Sequence, residues 1–317
     1  VTAWLVIPWF RVGTLVEIPL PGGATLPLQA FGLLVATGVL VGARVAEWFA
    51  ERRGVSPYVV SDMAAHVVLV AFVCAYFLNA AFYDPELFLS LFRDPGVITE
   101  RYLGLSSYGG FIGAVLGALL FVWRRKLSFY VAGDAVAFGF PFGWLFGRTG
   151  CFLVHDHPGR VSTFFLAVDD YQVPGALPPY PPRHDLGLYE VIWSLAVIAL
   201  FLTLARRPLK RGSFVALLAL TYAPVRFFLD FLRAPPELGG DVRYAGLTPA
   251  QWGSVGLLLV GVAVALWLRS RPEVVVPAWA RWPPPPETDA EDEDEQRRRA
   301  PEPAEPPARE SGDRSPS

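Results

Sequence analysis

Seven apolar stretches recur along the chain, near 29–49, 58–82, 107–123, 129–153, 187–204, 213–232 and 249–268, with polar connections between them. Each approaches the roughly 20 residues that a helix needs to cross the hydrocarbon of a bilayer. The pattern therefore predicts an all-α, polytopic membrane protein with about seven transmembrane helices. Glycine is common inside the stretches, as at Gly109, Gly110, Gly113 and Gly117. Small residues let membrane helices approach closely, and Gly113 with Gly117 forms a GxxxG pair that reads as a packing face.

Basic residues alternate between the connections. Arg44, Arg52 and Arg53 follow the first stretch, and Arg124, Arg125 and Lys126 the third. Arg206, Arg207, Lys210 and Arg211 follow the fifth, and Arg269 and Arg271 the seventh. The intervening connections hold two each: Arg93 and Arg101, Arg160 and Arg183, Arg233 and Arg243. Positively charged loops stay in the cytoplasm, so the N-terminus is expected outside and the C-terminus inside. The first residues, VTAWLVIPWF, carry neither a basic start nor a small-residue cleavage site. They do not read as a signal peptide, and the first span is expected to direct insertion.

Composition agrees with the pattern. Of 317 residues 53% are hydrophobic and 18% charged, against about 25% charged in a soluble domain. Mean hydropathy is +0.38. The formal net charge of −2 is uneven, with acids gathered at Glu287, Asp289 and Glu291 to Glu295. Residues 1–271 thus read as the transmembrane domain, and 272–317 as an acidic, Pro-rich cytoplasmic tail too poor in apolar residues to fold alone. The two cysteines, Cys74 and Cys151, lie in or beside apolar stretches and read as buried thiols rather than a disulfide.

Orientation sorts the remaining polar residues by depth. Arg148 and the segment CFLVHDHPG fall at the outer end of the fourth span, and Tyr222, Arg226, Asp230 and Arg233 in the outer half of the sixth. Tyr108 opens the third span, and PPRHDLGLYE, with Arg183, His184 and Glu190, opens the fifth. Four spans deliver polar groups to one level. An arginine within hydrocarbon costs about 2.5–3.5 kcal/mol, so it faces the bundle interior and finds a partner. Arg226, Asp230 and Arg233 share one helix face. Two arginines against one aspartate leave that face positive, and Arg148 adds a third cation. Snorkelling explains one such arginine; the set is better explained as a site for an anionic group, since guanidinium forks suit phosphate. His155, Asp156 and His157 invite a metal, but adjacent side chains diverge and no further ligand cluster has zinc spacing. No Ser-His-Asp signature or phosphate loop is present.

These residues resemble prolipoprotein diacylglyceryl transferases, integral membrane enzymes that act on bacterial lipoprotein precursors. The family pattern G-R-x-G-N-F-x-N-x-E-x-x-G is similar to Gly147–Gly159 here, with Asp156 in place of Glu and Cys151 and Val154 in place of the asparagines. SSYGGFIG resembles the His- or Tyr-Gly-Gly segment, with Tyr108 at the His/Tyr position. PPRHDLGLYE resembles Arg-His-Pro-x-x-Leu-Tyr-Glu, with Asp185 replacing Pro, and YAPVRFFLDFLR resembles Tyr-x-x-x-Arg-Phe-x-x-Glu-x-x-Arg, with Asp230 replacing Glu. GLTPAQWGS is similar to the last outer loop and helix start. The likeness spans about residues 27–268. It departs at Phe31, where the family has tyrosine, and at Tyr76, where it has arginine.

The resemblance implies transfer of a diacylglyceryl group from phosphatidylglycerol to the lipobox cysteine of a prolipoprotein signal peptide, forming a thioether at the outer leaflet of the bacterial inner membrane. It implies no metal, nucleotide or redox cofactor and no nucleic-acid partner. Tyr108, Arg148, Arg226 and Asp230 are then the catalytic candidates. Arg148, Asp156, Gly159, His184, Glu190, Tyr222 and Arg233 are the candidates for holding substrate. Asp156 and Asp230 orient arginines rather than act as acids. The resemblance makes Tyr108 the proton acceptor or orienter. A free phenol has a pKa of about 10, and the histidines match neutrality better, but the family has none at 155 or 157. The competing readings are an inactive or altered relative that binds anionic phospholipid, motivated by Cys151, Val154, Phe31 and Tyr76, and an organic-anion transporter, which lacks a matched pair of broken half-helices.

Overall fold

A computed structural model of the chain describes residues 7–19, 25–83, 85–91, 93, 107–173, 177–238 and 240–284. A hairpin of β1 (Thr14–Pro19) and β2 (Thr25–Gln29) leads into α1 (Ala30–Arg52), α2 (Pro57–Tyr83) and the short α3 (Pro85–Leu91). Then come α4 (Ser107–Arg125), α5 (Phe129–Val154), the small strands β3 (Pro158–Val161) and β4 (Arg183–Asp185), α6 (Leu186–Leu204), α7 (Ser213–Leu229) and α8 (Pro249–Ser270). Among the described residues α1, α2, α5, α6, α7 and α8 are long and apolar enough to cross a membrane. The remaining expected span coincides with α4, a helix of 19 residues.

The outward faces are apolar. Leu40 on α1, Leu69 and Phe72 on α2, Leu119 on α4, Leu195 on α6 and Leu259 on α8 are all more than half exposed. Apolar surface on every side is stable in lipid rather than water, and helices satisfy their own backbone there. This is a multi-pass membrane protein.

The bundle is built around α5, which packs most extensively on α1 and then on α6. Phe138 of α5 is fully buried, stacked on Phe49 of α1 at 4.1 Å and edge-on to Phe214 of α7 at 5.1 Å. Glycine sets the closeness of α1 and α5. A Cβ on Gly139 would lie 2.3 Å from the carbonyl oxygen of Gly42, and one on Gly143 would lie 2.7 Å from that of Gly38. The second pair, α4 on α2, uses the predicted glycine face: a Cβ on Gly113 would lie 2.6 Å from Ala71 Cα, and one on Gly117 would lie 2.8 Å from the His66 carbonyl oxygen. Gly139→Val is expected to force α1 and α5 apart, with a loss of about 3 kcal/mol read as a lowered melting temperature in detergent. Gly110→Ala, whose Cβ meets nothing within 4 Å, is the control and should leave melting unchanged or slightly raised. Equal melting of the two variants would refute this account of the helix pair.

One end of the bundle is tied together by chain reversals. His155 ends α5 in a left-handed conformation, with φ 51° and ψ 46°. The chain then enters β3, which pairs antiparallel with β4 in the register Pro158↔Asp185 and Val161↔Arg183. Gly159 also bridges to Arg233 beyond α7. Asp185 caps α6 by accepting from Leu188 N, and Thr248 with Gln251 forms a capping box on α8. The ends of α5, α6, α7 and α8 therefore meet.

At the opposite end the Arg53 guanidinium donates to the Leu209 carbonyl, that of Arg211 to the Arg53 carbonyl, and Lys210 Nζ to those of Leu268 and Arg271. Residues 272–284, grouped with the tail by composition, pack here as well. Val276 and Ala280 are buried, and Arg281 bridges to Val55. The rest of the tail lies outside the described residues. Both cysteines are free thiols, Cys151 buried and Cys74 half-buried.

Candidate functional site

Arg148 projects from the last turns of α5, and its side chain is 11% exposed. Its Nε lies 2.9 Å from Oε2 of Glu190, one turn into α6, whose carboxylate is 2% exposed. The same oxygen accepts from Trp144 Nε1 at 3.0 Å and from the Tyr222 hydroxyl of α7 at 3.4 Å. Trp144 also lies under the guanidinium, 4.4 Å from ring centroid to Cζ. A carboxylate this deep is stable because a cation and two donors surround it.

Arg226 stands one turn beyond Tyr222 on α7. Its Nη1 donates to Asp230 Oδ1 at 2.7 Å, and Arg233 Nε donates to the same oxygen at 3.2 Å. The other oxygen of the fully buried Asp230 accepts from the Thr248 hydroxyl at the start of α8. Arg233 also approaches Asp241 at 3.5 Å. The two groups of arginines are joined along α7: the Tyr222 hydroxyl donates to Glu190, the partner of Arg148, and Arg226 stands one turn beyond Tyr222. The face expected to be positive is in fact close to balanced. Glu190 and Asp241 join Asp230 against three guanidiniums, so the cations arrive already held in place.

The segment His155–Asp156–His157 divides in two. His155 turns inward and is fully buried, with Nδ1 2.7 Å from Asp185 Oδ2 and its ring stacked on Trp9 at 4.5 Å. Tyr171 closes this network by donating to the His155 carbonyl at 3.0 Å and to Asp185 at 3.3 Å. Burial, and then the Asp185 carboxylate, push the Tyr171 phenol far above its ordinary value, so it stays a donor. His157 turns the other way. Its Nδ1 is bonded to Asp156 Oδ1, and its Nε2 lies 3.2 Å from Arg148 Nη1.

Cys151, Asp156 and His157 bring a sulfur, an oxygen and a nitrogen within 4.8 Å of one another. Arg148 Nη1 lies 3.9 Å from that sulfur, so a fixed cation already stands where a metal ion would be repelled. The donor set does not suit a metal.

The other predicted residues fall around this centre in different ways. Gly159 lies in β3 with no room for a side chain: a Cβ would meet His184 Cβ at 2.6 Å. Its carbonyl accepts from the buried Arg183 at 3.1 Å. His184 is bonded through Nδ1 to the Tyr189 hydroxyl at 2.6 Å, and burial pushes its imidazole below the ordinary value. Tyr108 lies in the first turn of α4, and its side chain is outside the described residues. Phe31 packs on Gly150, where an added Cβ would stand 3.0 Å from its ring. The hydroxyl of Tyr76 is buried, with no partner among the described residues.

Sequence reasoning passed over Trp144, Thr248 and Asp241. Only the Thr-x-x-Gln spacing of a capping box was available to single out Thr248.

The chain matches the family described as prolipoprotein diacylglyceryl transferase over residues 22–267. The chain belongs to that family. It is 32% identical over 250 residues to the phosphatidylglycerol–prolipoprotein diacylglyceryl transferase of Chromohalobacter salexigens, a match covering 76% of this chain and 88% of the relative. The enzyme of that name from Bacillus cytotoxicus is 30% identical over 241 residues, 74% of this chain and 86% of the relative. That of Trichormus variabilis is 29% identical over 268 residues, 79% and 90% respectively. The match includes all four helix ends that carry Arg148, Glu190, Arg226 and Thr248. As a diacylglyceryl transferase family member the chain is a transferase, and its polar end is the place to look for the chemistry.

Proposed function

We propose that this protein transfers the diacylglyceryl group of phosphatidylglycerol to the cysteine thiol of a prolipoprotein lipobox, in the bacterial inner membrane with its polar end toward the outer leaflet. One observation carries the reading beyond family membership: Arg148 and Arg226, from separate helices, come to one place, because Glu190 pairs with Arg148 and accepts from Tyr222, and Arg226 stands one turn beyond Tyr222. A phosphodiester held there gains charge on its departing oxygen as the carbon–sulfur bond forms. Fixed cations in a water-poor site stabilise that charge at no cost of reorganisation during the reaction. Each guanidinium has five N–H donors, and the carboxylates engage only some of them, leaving donors for phosphate oxygens. The positive-inside distribution of loops supports the outward orientation.

Incubation of the purified protein with phosphatidylglycerol liposomes and a lipobox peptide tests this. The peptide mass should rise by one diacylglyceryl group on its cysteine, and the adduct should resist hydroxylamine, as a thioether does. An unmodified peptide, or a hydroxylamine-labile adduct, would overturn the reading.

A further inference from the structure

Transfer to sulfur also requires a base for the thiol proton. Besides Tyr108 the chain offers four histidines. His66 lies in the interior of α2 and bonds the Asp62 carbonyl at 2.8 Å, away from the end where α5 to α8 meet. His155 is sealed between Trp9, Phe10, Phe152 and Tyr171. His184 is occupied by Tyr189. His157 alone combines partial exposure, 24% of its side chain, with contact to Arg148.

Its hydrogen bonds fix its tautomer. Arginine only donates, so Nε2 is the acceptor and carries the lone pair, while the proton sits on Nδ1 and is donated to Asp156. A carboxylate on the far nitrogen both orients an imidazole and stabilises its protonated form. The charged and titratable groups facing His157 are Asp156 from its own loop and Arg148 and Cys151 from α5. From α6 the backbone N–H of Leu186 bonds its carbonyl at 3.2 Å, and Glu190 holds the Nε of the same Arg148 guanidinium.

We propose that His157, oriented by Asp156, is the proton acceptor for the incoming thiol; this rests on the transferase reading above. When Arg148 Nη1 engages the phosphate, Nε2 is freed toward the acceptor cysteine. The S–H bond breaks and its proton passes to Nε2. The sulfur electron pair forms the C–S bond to the glyceryl carbon, and the C–O bond to phosphate breaks, its electrons remaining on the phosphate oxygen. The imidazolium then gives its proton to the departing glycerol phosphate.

Initial rates of the full chain in phosphatidylglycerol liposomes, measured from pH 6 to pH 9.5 with a lipobox peptide, test this. His157→Gln is expected to be slower by about 100-fold at pH 7, within the range for loss of a general base. The deficit should shrink to about 10-fold or less at the alkaline end, where a thiol of pKa about 8.5 ionises in solution. Asp156→Asn, a positioning change, should give a smaller deficit of about 10-fold with the same relief at high pH. His157→Asn serves as a second variant should the first fail to fold. A wild-type rate at pH 7 in both histidine variants, or a deficit equally large at every pH, would overturn the role of His157 and leave the transferase reading standing. A wild-type protein inactive at every pH would overturn the transferase reading and this role with it.

Discussion

Replacing Arg226 with alanine is expected to lower the transfer rate by at least about 100-fold, the scale on which removal of one preorganised donor acts, while the protein still inserts and melts cooperatively. The fold should tolerate the loss of Arg226. Asp230, its buried partner, keeps Arg233 at 3.2 Å and the Thr248 hydroxyl, so no carboxylate is left bare. What disappears is a cation one turn from Tyr222, whose hydroxyl bonds Glu190. Arg226→Lys separates charge from shape. It retains the positive charge but cannot hold Asp230 and a phosphate at once through a planar fork, so a deficit nearer 10-fold is expected. Rates and melting temperatures of the two variants in the same liposomes decide the matter. Undiminished transfer in Arg226→Ala would remove this arginine from the mechanism.

Glu190→Ala should act on stability first. Its carboxylate is almost inaccessible and holds Arg148, Trp144 and Tyr222. Removing it leaves a buried guanidinium without its counter-ion, a change that costs about 3–5 kcal/mol when one partner of a buried pair is deleted. A melting temperature lowered by several degrees and loss of transfer are both expected. The double variant Arg148→Met with Glu190→Leu removes both charges and replaces them with apolar groups of similar size, which is often neutral for stability. It should recover most of the melting temperature and none of the transfer. Stability unchanged in Glu190→Ala would mean that the pair is solvated and that the site is more open than its burial implies.

Much of this was legible in the residues. The apolar runs fixed where helices lie to within a few residues, because lipid allows only helices or closed barrels, and continuous apolar runs of about 20 residues suit a helix. The Gly113–Gly117 face was readable for the same reason: small residues at helical spacing have little use on a lipid-facing surface, and α2 indeed lies against them. The guanidinium level was readable because an arginine at such depth needs a partner.

The partners themselves were decided only by tertiary packing. Sequence spacing gave Arg226 and Asp230, four apart on one helix. It could not give Arg148 to Glu190, 42 positions away, or Thr248 to Asp230. Charge counted along one helix face therefore gave an excess of positive charge, whereas in space the carboxylates of other elements nearly cancel it. Gly38 and Gly42 have the same spacing as Gly113 and Gly117, but only packing shows that the helix they face is α5, through Gly139 and Gly143. The triplet His155–Asp156–His157 was one polar patch in the chain, but a single left-handed residue at the end of α5 sends the first ring into the core and the second to Arg148. Local sequence limits which elements form, through hydrogen bonding and hydrophobicity. Which side chains meet depends on where separate helices end, and that is set by the packing of the whole bundle.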